Sequence, residues 1–310
     1  MAAKPEVRCY FHAGTGTWQY LVFDPSSLEA CIIDPVLDFD ITSSKLGTET
    51  ADELIFRINE LGVIVTRIME THAHADHLTA SRYIQQKLAQ DGHVPPDICI
   101  GKRIKEVQST FAQKYGINPT ELENVFDHLF DDDEHFKIGK VNCSVLYLPG
   151  HTPDHIGYMI GDNVFTGDSI FNPDVGSARC DFPNGSATDL YRSMSKLLSL
   201  PGHIRLYTGH DYPPETRTAT ESGQKQMAFT TVEQQNESNK HVKRGTPEAS
   251  FVKWRSERDA TLGEPRLLHR ALQINIRAGR LPPPSKNGDR LLNIPIKEDK
   301  VLFDLMDSKL

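Results

Sequence analysis

The stretch Thr71-His72-Ala73-His74-Ala75-Asp76-His77 packs three imidazoles and a carboxylate into consecutive turns of chain. Imidazole nitrogens and carboxylate oxygens are borderline-to-hard donors, suited to Zn(II), Fe(II) or Mn(II). His72 and His74, two apart in an extended segment, point to one side, while Asp76 and His77 are expected to enter a following helix and face a second ion. A lone histidine is ordinarily packing or surface, but a cluster of this density has few structural reasons to exist. Three later segments repeat the theme. Pro149-Gly150-His151, Thr166-Gly167-Asp168 and Thr208-Gly209-His210 each end an apolar run with a glycine followed by a donor. Gly150 permits the tight turn that brings His151 inward, and Asp168 is the kind of carboxylate that bridges two ions.

These donors need strands to carry them. Trp18 to Phe23 and Glu29 to Ile33 are rich in β-branched and aromatic residues and flank a Pro25-Ser26-Ser27 turn, which predicts a hairpin. Leu54, Ile55, Ile58 and Leu61 have helical spacing within Thr50 to Leu61, and Val63 to Met69 follows as a buried strand ending where the histidines begin. His77 to Leu88 is expected to be helical, and Val94 to Ile100 a short strand. Val141 to Leu148, Ile156 to Ile160 with Asn163 to Thr166, and Arg205 to Thr208 are further strands, and Asp189 to Leu200 a helix. Each donor thus falls where a strand ends, the place where loops carry function. Beyond Pro213, the stretches Met227 to Val242 and Pro247 to Arg258 look helical and polar, and Pro282-Pro283-Pro284 marks an irregular tail. We therefore expect a main domain over 1–212 and a C-terminal extension over 213–310 packed on it.

Composition narrows the function. A hydrophobic fraction of 38% with 25% charged residues describes a chain that folds rather than one that stays disordered. A net charge of −8 disfavours nucleic acid and anionic membranes as partners, leaving a small-molecule substrate. The five cysteines are odd in number, widely spaced and without a Cys-x-x-Cys pair, so reduced and mostly buried thiols are expected. There is no signal-peptide core or long apolar run, and the first ten residues lack an Arg-rich amphipathic pattern; a cytoplasmic protein is expected, with a mitochondrial one disfavoured. The acidic run Asp131-Asp132-Asp133-Glu134 is read as a solvated turn. His155 is the isolated histidine near enough in sequence to line the pocket, and Arg277 and Arg280 either reach an anionic substrate or pin the tail. No heptad or exposed apolar helix argues for a homodimer, which stays open.

The pattern His72-x-His74-x-Asp76-His77, then Gly-His151, Gly-Asp168 and Gly-His210, resembles the metallo-β-lactamase superfamily over roughly residues 10 to 212. The resemblance implies an αββα sandwich, an α/β fold with metals at one edge. It assigns one ion to His72, His74 and His151, a second to Asp76, His77 and His210, and places Asp168 between them. It also makes Asp34 a residue that orients a histidine from outside the coordination sphere. Within the superfamily, Phe165 to Ser169, Ala178 to Phe182 and His210-Asp211-Tyr212 are similar to persulfide dioxygenases and glyoxalase II-like proteins. In the dioxygenases an arginine at the place of Arg179 helps bind glutathione, but Ser177, Ala178 and Cys180 depart from the usual run.

Two chemistries fit. As a hydrolase, the protein would hold two Zn(2+) ions per chain, and a metal-bound hydroxide oriented by Asp76 would attack a lactam, lactone, thioester or isothiocyanate, a reaction suited to detoxification. As a dioxygenase, only His72, His151 and Asp168 hold one Fe(2+), which oxidises glutathione persulfide with O2. The altered residues near Arg179 and the long extension favour the hydrolase. A non-catalytic binding module would have lost donors, and none is missing. Phe171, Tyr212 and Arg179 are candidate substrate walls by adjacency, and Cys180 is read as structural.

Overall fold

The computed structural model describes residues 3–220, 223–297 and 306. The end of the expected extension, 298–305 and 307–310, lies outside the described residues. The first sheet joins β1 (Glu6–His12), β2 (Thr17–Phe23) and β3 (Glu29–Ile33), which is followed in sequence by β4 (Val36–Asp40) and β5 (Lys45–Gly47). Then come β6 (Ile64–Met69), β7 (Leu78–Thr79), β8 (Asp97–Gly101) and β9 (His128–Phe130), and the sheet runs β1-β2-β3-β6-β8-β9. The second sheet runs in chain order from β10 (His135–Ile138) through β11 (Val141–Tyr147), β12 (Ile156–Ile160), β13 (Asn163–Phe165), β14 (Arg205–Tyr207) and β15 (Phe229–Thr231). A small β5-β4-β7 sheet closes one edge. The helices are α1 (Glu49–Leu61), α2 (Ser81–Gln90), α3 (Ile104–Tyr115), α4 (Ala187–Leu198), α5 (Val232–Ser238), α6 (Glu248–Asp259) and α7 (Leu268–Asn275).

Strand β2 explains the layering. Every residue of Thr17–Phe23 is buried, and side chains alternate between faces along a strand. Leu21 and Phe23 enter a core with Leu54, Ile55 and Ile58 of α1 and Ile84 of α2, while Tyr20 and Val22 enter the inter-sheet core with Val145, Tyr158 and Phe165. Across the second sheet, Val164 and Leu206 pack on Leu190, Met194 and Leu197 of α4 and Phe251 of α6. Helix, sheet, sheet and helix therefore stack as the expected αββα sandwich.

The helix expected from His77 starts later. Leu78 and Thr79 pair with Leu37 and Val36 of β4, and the Thr79 amide donates to Asn275 Oδ1 at 2.9 Å, so the chain stays extended until Ser81. Asp76 and His77 therefore sit in a loop. The helix expected over Met227 to Val242 is also interrupted. Phe229–Thr231 adds β15 to the edge of β14, and α5 begins only after the Thr231/Gln234 capping box. Residues after 212 thus contribute to the second sheet and to both helical layers. Among the described residues, no helix is long and apolar enough to cross a membrane.

Candidate metal centre

Chain geometry at the strand ends builds the centre. Asp34 follows β3 in a left-handed conformation and receives the Thr71 amide at 2.7 Å and the Thr71 hydroxyl at 2.9 Å. The Ala73 amide donates to Asp154 Oδ2 at 2.9 Å, so residues 71 to 73 are fixed from both sides. Gly150 has φ +136, and a Cβ there would overlap the backbone of Leu190 at the start of α4. His151 can enter only because that position is glycine. Its Nδ1 donates to the Arg179 carbonyl at 2.8 Å, directing Nε2 towards Asp168 Oδ2 at 3.6 Å.

All seven sequence-predicted donors converge. The ligand atoms of His72, His151 and Asp168 lie within 4.8 Å of one another, as do those of His74, Asp76 and His77. His210 spans the two sets, with Nδ1 2.7 Å from Asp168 Oδ1 and Nε2 2.6 Å from Asp76 Oδ2. The His74 ligand atom lies within 4.8 Å of those of Asp76 and His77, and its ring centroid stands 4.1 Å from that of His72, with which the family resemblance groups it. Asp34 Oδ1 stands 3.0 Å from His74 Nε2. Asp34, Glu70 and His74 form a third buried cluster, in which Glu70 Oε1 accepts the hydroxyls of Thr79 and Ser81 and Oε2 stands 3.5 Å from His74 Nε2.

The donor atoms fit ions. His72 Nε2, His74 Nδ1 and His77 Nε2 are buried without a hydrogen-bond partner, an arrangement that is costly unless something else binds them. Burial, reinforced by the neighbouring imidazoles, drives His72 well below its ordinary pKa and His77 down to about 3. Both rings are therefore neutral and offer lone pairs. Burial also opposes charge on His74 and His210, yet the carboxylates of Asp34 and Asp168 raise both well above the usual range.

A cavity of about 730 Å³ opens on Asp76, His151 and Asp168. Phe171, Tyr212 and Arg179 line it, and the Tyr212 ring stacks on His210 at 5.7 Å. Arg179 is tied to Asp181 and donates to the Gly263 carbonyl at 2.8 Å, so its guanidinium is already engaged. Sequence reasoning missed the opposite wall of Lys240, His241, Trp254, Arg255, Arg258 and Arg266. Trp254, Arg255 and Arg258 share one face of α6, a spacing visible in the sequence but indistinguishable there from an ordinary polar helix.

Other expectations resolve simply. His155 does not line the cavity: it is fully buried behind the centre, and its Nε2 accepts the Asp168 amide at 2.9 Å. Arg277 pins the tail to Glu121 at 2.8 Å, and Cys180 is buried with its thiol pushed upward by that burial. All five cysteines are free, and all but Cys9 are buried. Asp131 and Asp132 pair with Lys102 and Arg103 as a surface turn would.

The metallo-beta-lactamase superfamily model matches residues 16–210. The protein is 42% identical to glyoxylase B2 of Dictyostelium discoideum, covering 96% of this chain and 98% of that one. It is 28% identical to the mitochondrial persulfide dioxygenase ETHE1 of Bos taurus, over 90% and 91% of the two chains. The crystal structure of ETHE1 from Myxococcus xanthus superposes with a TM-score of 0.68 at 26% identity, covering 89% of this chain and all of that one. The chain, with its sandwich and its donors gathered at one edge, belongs to the metallo-β-lactamase superfamily.

Proposed function

We propose that the protein is a metal-dependent hydrolase that holds two zinc ions and opens a small electrophilic substrate, such as a lactam, lactone, thioester or isothiocyanate. The observation that carries this reading is the pair of donor triads, each with buried donor atoms that find no partner within the protein. His72, His151 and Asp168 would hold one ion, and His74, Asp76 and His77 the other, with His210 between Asp76 and Asp168. Bound there, the ions would supply Lewis acidity and lower the pKa of water.

The protein's own part is placement. Asp76, with a side chain 30% exposed, faces the cavity and is positioned to hold a proton of the attacking water. Phe171, Tyr212 and Trp254 give the substrate an apolar wall, and Lys240, Arg258 and Arg266 make the mouth cationic, while Arg179 and Arg255 are paired with Asp181 and Asp259. Among the described residues, the carboxylates that line the cavity are Asp76 and Asp168. This arrangement favours substrates that carry an anionic group away from the reacting carbon.

One observation supports a second reading. His72, His151 and Asp168 form a two-histidine, one-carboxylate set by themselves, the donor pattern of non-haem iron oxygenases. A relative bears the name persulfide dioxygenase. Elemental analysis of protein purified without added metal, paired with oxygen uptake on glutathione persulfide, separates the two. About two zinc ions per chain and no oxygen uptake supports hydrolysis. About one iron per chain with rapid uptake replaces it with the dioxygenase.

A further inference from the structure

Asn275 closes α7 and lies 4% exposed against the loop that carries His74, Asp76 and His77. Its Nδ2 donates to the carbonyls of His74 and His77, both at 2.8 Å, and its Oδ1 accepts the Thr79 amide at 2.9 Å. One amide group thus spans residues 74 to 79 with both of its N–H donors and its oxygen engaged. Only one orientation of the amide serves two carbonyls and one N–H. No aspartate, leucine or alanine reproduces that set.

Helix α7 is rigid enough to act as an anchor. Leu272 packs in one core beside Phe111 of α3, and Ile274 in another beside Ile84 of α2. Gln108 of α3 donates to the Ile276 carbonyl at 2.8 Å. A Cβ on Gly279 would stand 3.3 Å from the Thr79 carbonyl, so the chain after α7 also presses on the loop. Helix α7 and Gly279 lie outside residues 16–210, the part matched by the superfamily, while their partners lie within it.

We propose that Asn275 is a positioning residue for the metal donors His74, Asp76 and His77. By fixing the backbone on both sides of Asp76, it sets the separation of the His74, Asp76 and His77 donors. The inference rests on the two-ion reading above. Loss of the amide frees two carbonyls and an N–H in a buried place, and the loop relaxes to satisfy them, which disperses the triad without altering any donor.

The test is a Co(II) titration of the metal-free protein followed by visible absorption, with chelator competition for each equivalent. Asn275→Ala and the near-isosteric Asn275→Asp are compared with Leu272→Ala, which removes core volume from α7 and leaves the three bonds in place. The expected result is Co(II) binding weakened roughly ten- to a hundredfold in both Asn275 variants, with an altered spectrum. Leu272→Ala melts at a lower temperature yet binds both equivalents like the wild type. Wild-type affinity for both equivalents in Asn275→Ala overturns the proposal while leaving the two-ion reading intact. A wild-type protein that takes only one equivalent overturns both, and the wild-type isotherm alone tells the cases apart. Failure of both Asn275 variants to fold, with Leu272→Ala folded, also overturns it in favour of a purely structural role.

Discussion

Asp34 Oδ1 stands 3.0 Å from His74 Nε2 while the same carboxylate receives both the amide and the hydroxyl of Thr71. A single buried side chain at the end of β3 therefore fixes the backbone before His72 and the ring of His74. The His74 Nδ1 atom is left facing inward without a partner.

Asp34→Asn isolates the charge from the shape. Asp34 has φ 51, a left-handed conformation that asparagine adopts readily, so the turn survives. The negative charge facing His74 Nε2 does not. Metal affinity measured by chelator competition is expected to fall roughly ten- to a hundredfold, with circular dichroism unchanged. Undiminished affinity would remove Asp34 from the metal centre.

Gly150→Ala tests the turn that delivers His151. The new Cβ meets the Leu190 backbone at a φ of +136, so strain and overlap combine. The cost is on the order of 3 kcal/mol, read as a lower urea midpoint, and activity falls with it because His151 moves. A variant with the wild-type midpoint would show that α4 yields easily there.

Asp24 gives the fold an acid-sensitive joint far from the centre. Amides of Lys140 and Ser26 donate to its carboxylate at 2.7 Å and 2.8 Å and hold its pKa down to about 2. Because the folded value lies below the unfolded one, near 4, its contribution is complete above about pH 4 and is lost as pH falls towards 2. Asp24→Asn is expected to lower stability at neutral pH and to flatten the loss of stability across that acid window. Urea midpoints for both proteins from pH 5 to pH 2 give the difference; parallel curves would refute the assignment.

The sandwich was legible through the donor motif, whose spacing carries the family resemblance, and β2 and β3 through their β-branched and aromatic residues. The seven donor positions stood out because each is a chemically distinctive residue near a strand end. What was not legible depends on distant pairing. Nothing near Leu78 announces that it pairs with Leu37, so Asp76 and His77 looked like the start of a helix. Helix α3 carries an apolar stripe at Ile104, Val107, Phe111 and Tyr115 that the sequence reading passed over. Asn275 offered no local signal, since its partners lie about two hundred residues away.

The cationic mouth of the cavity makes a prediction about substrate charge. Lys240 and Arg266 have no hydrogen-bonded or ion-paired carboxylate among the described residues, and Arg258 donates only to Thr261 Oγ1 at 2.9 Å. Arg255, by contrast, is tied to Asp259, and Arg179 to Asp181. Lys240→Ala and Arg258→Ala are therefore expected to raise KM for a carboxylate-bearing thioester about fivefold each at low ionic strength, the scale of one exposed charge pair. Turnover number stays unchanged, because neither side chain reaches the metal donors. Salt at ~0.5 M should shrink the effect by screening, and a neutral ester of the same acid should show none of it. Equal changes for the charged and neutral substrates would mean that the wall acts through shape, and the preference for anionic substrates would be withdrawn.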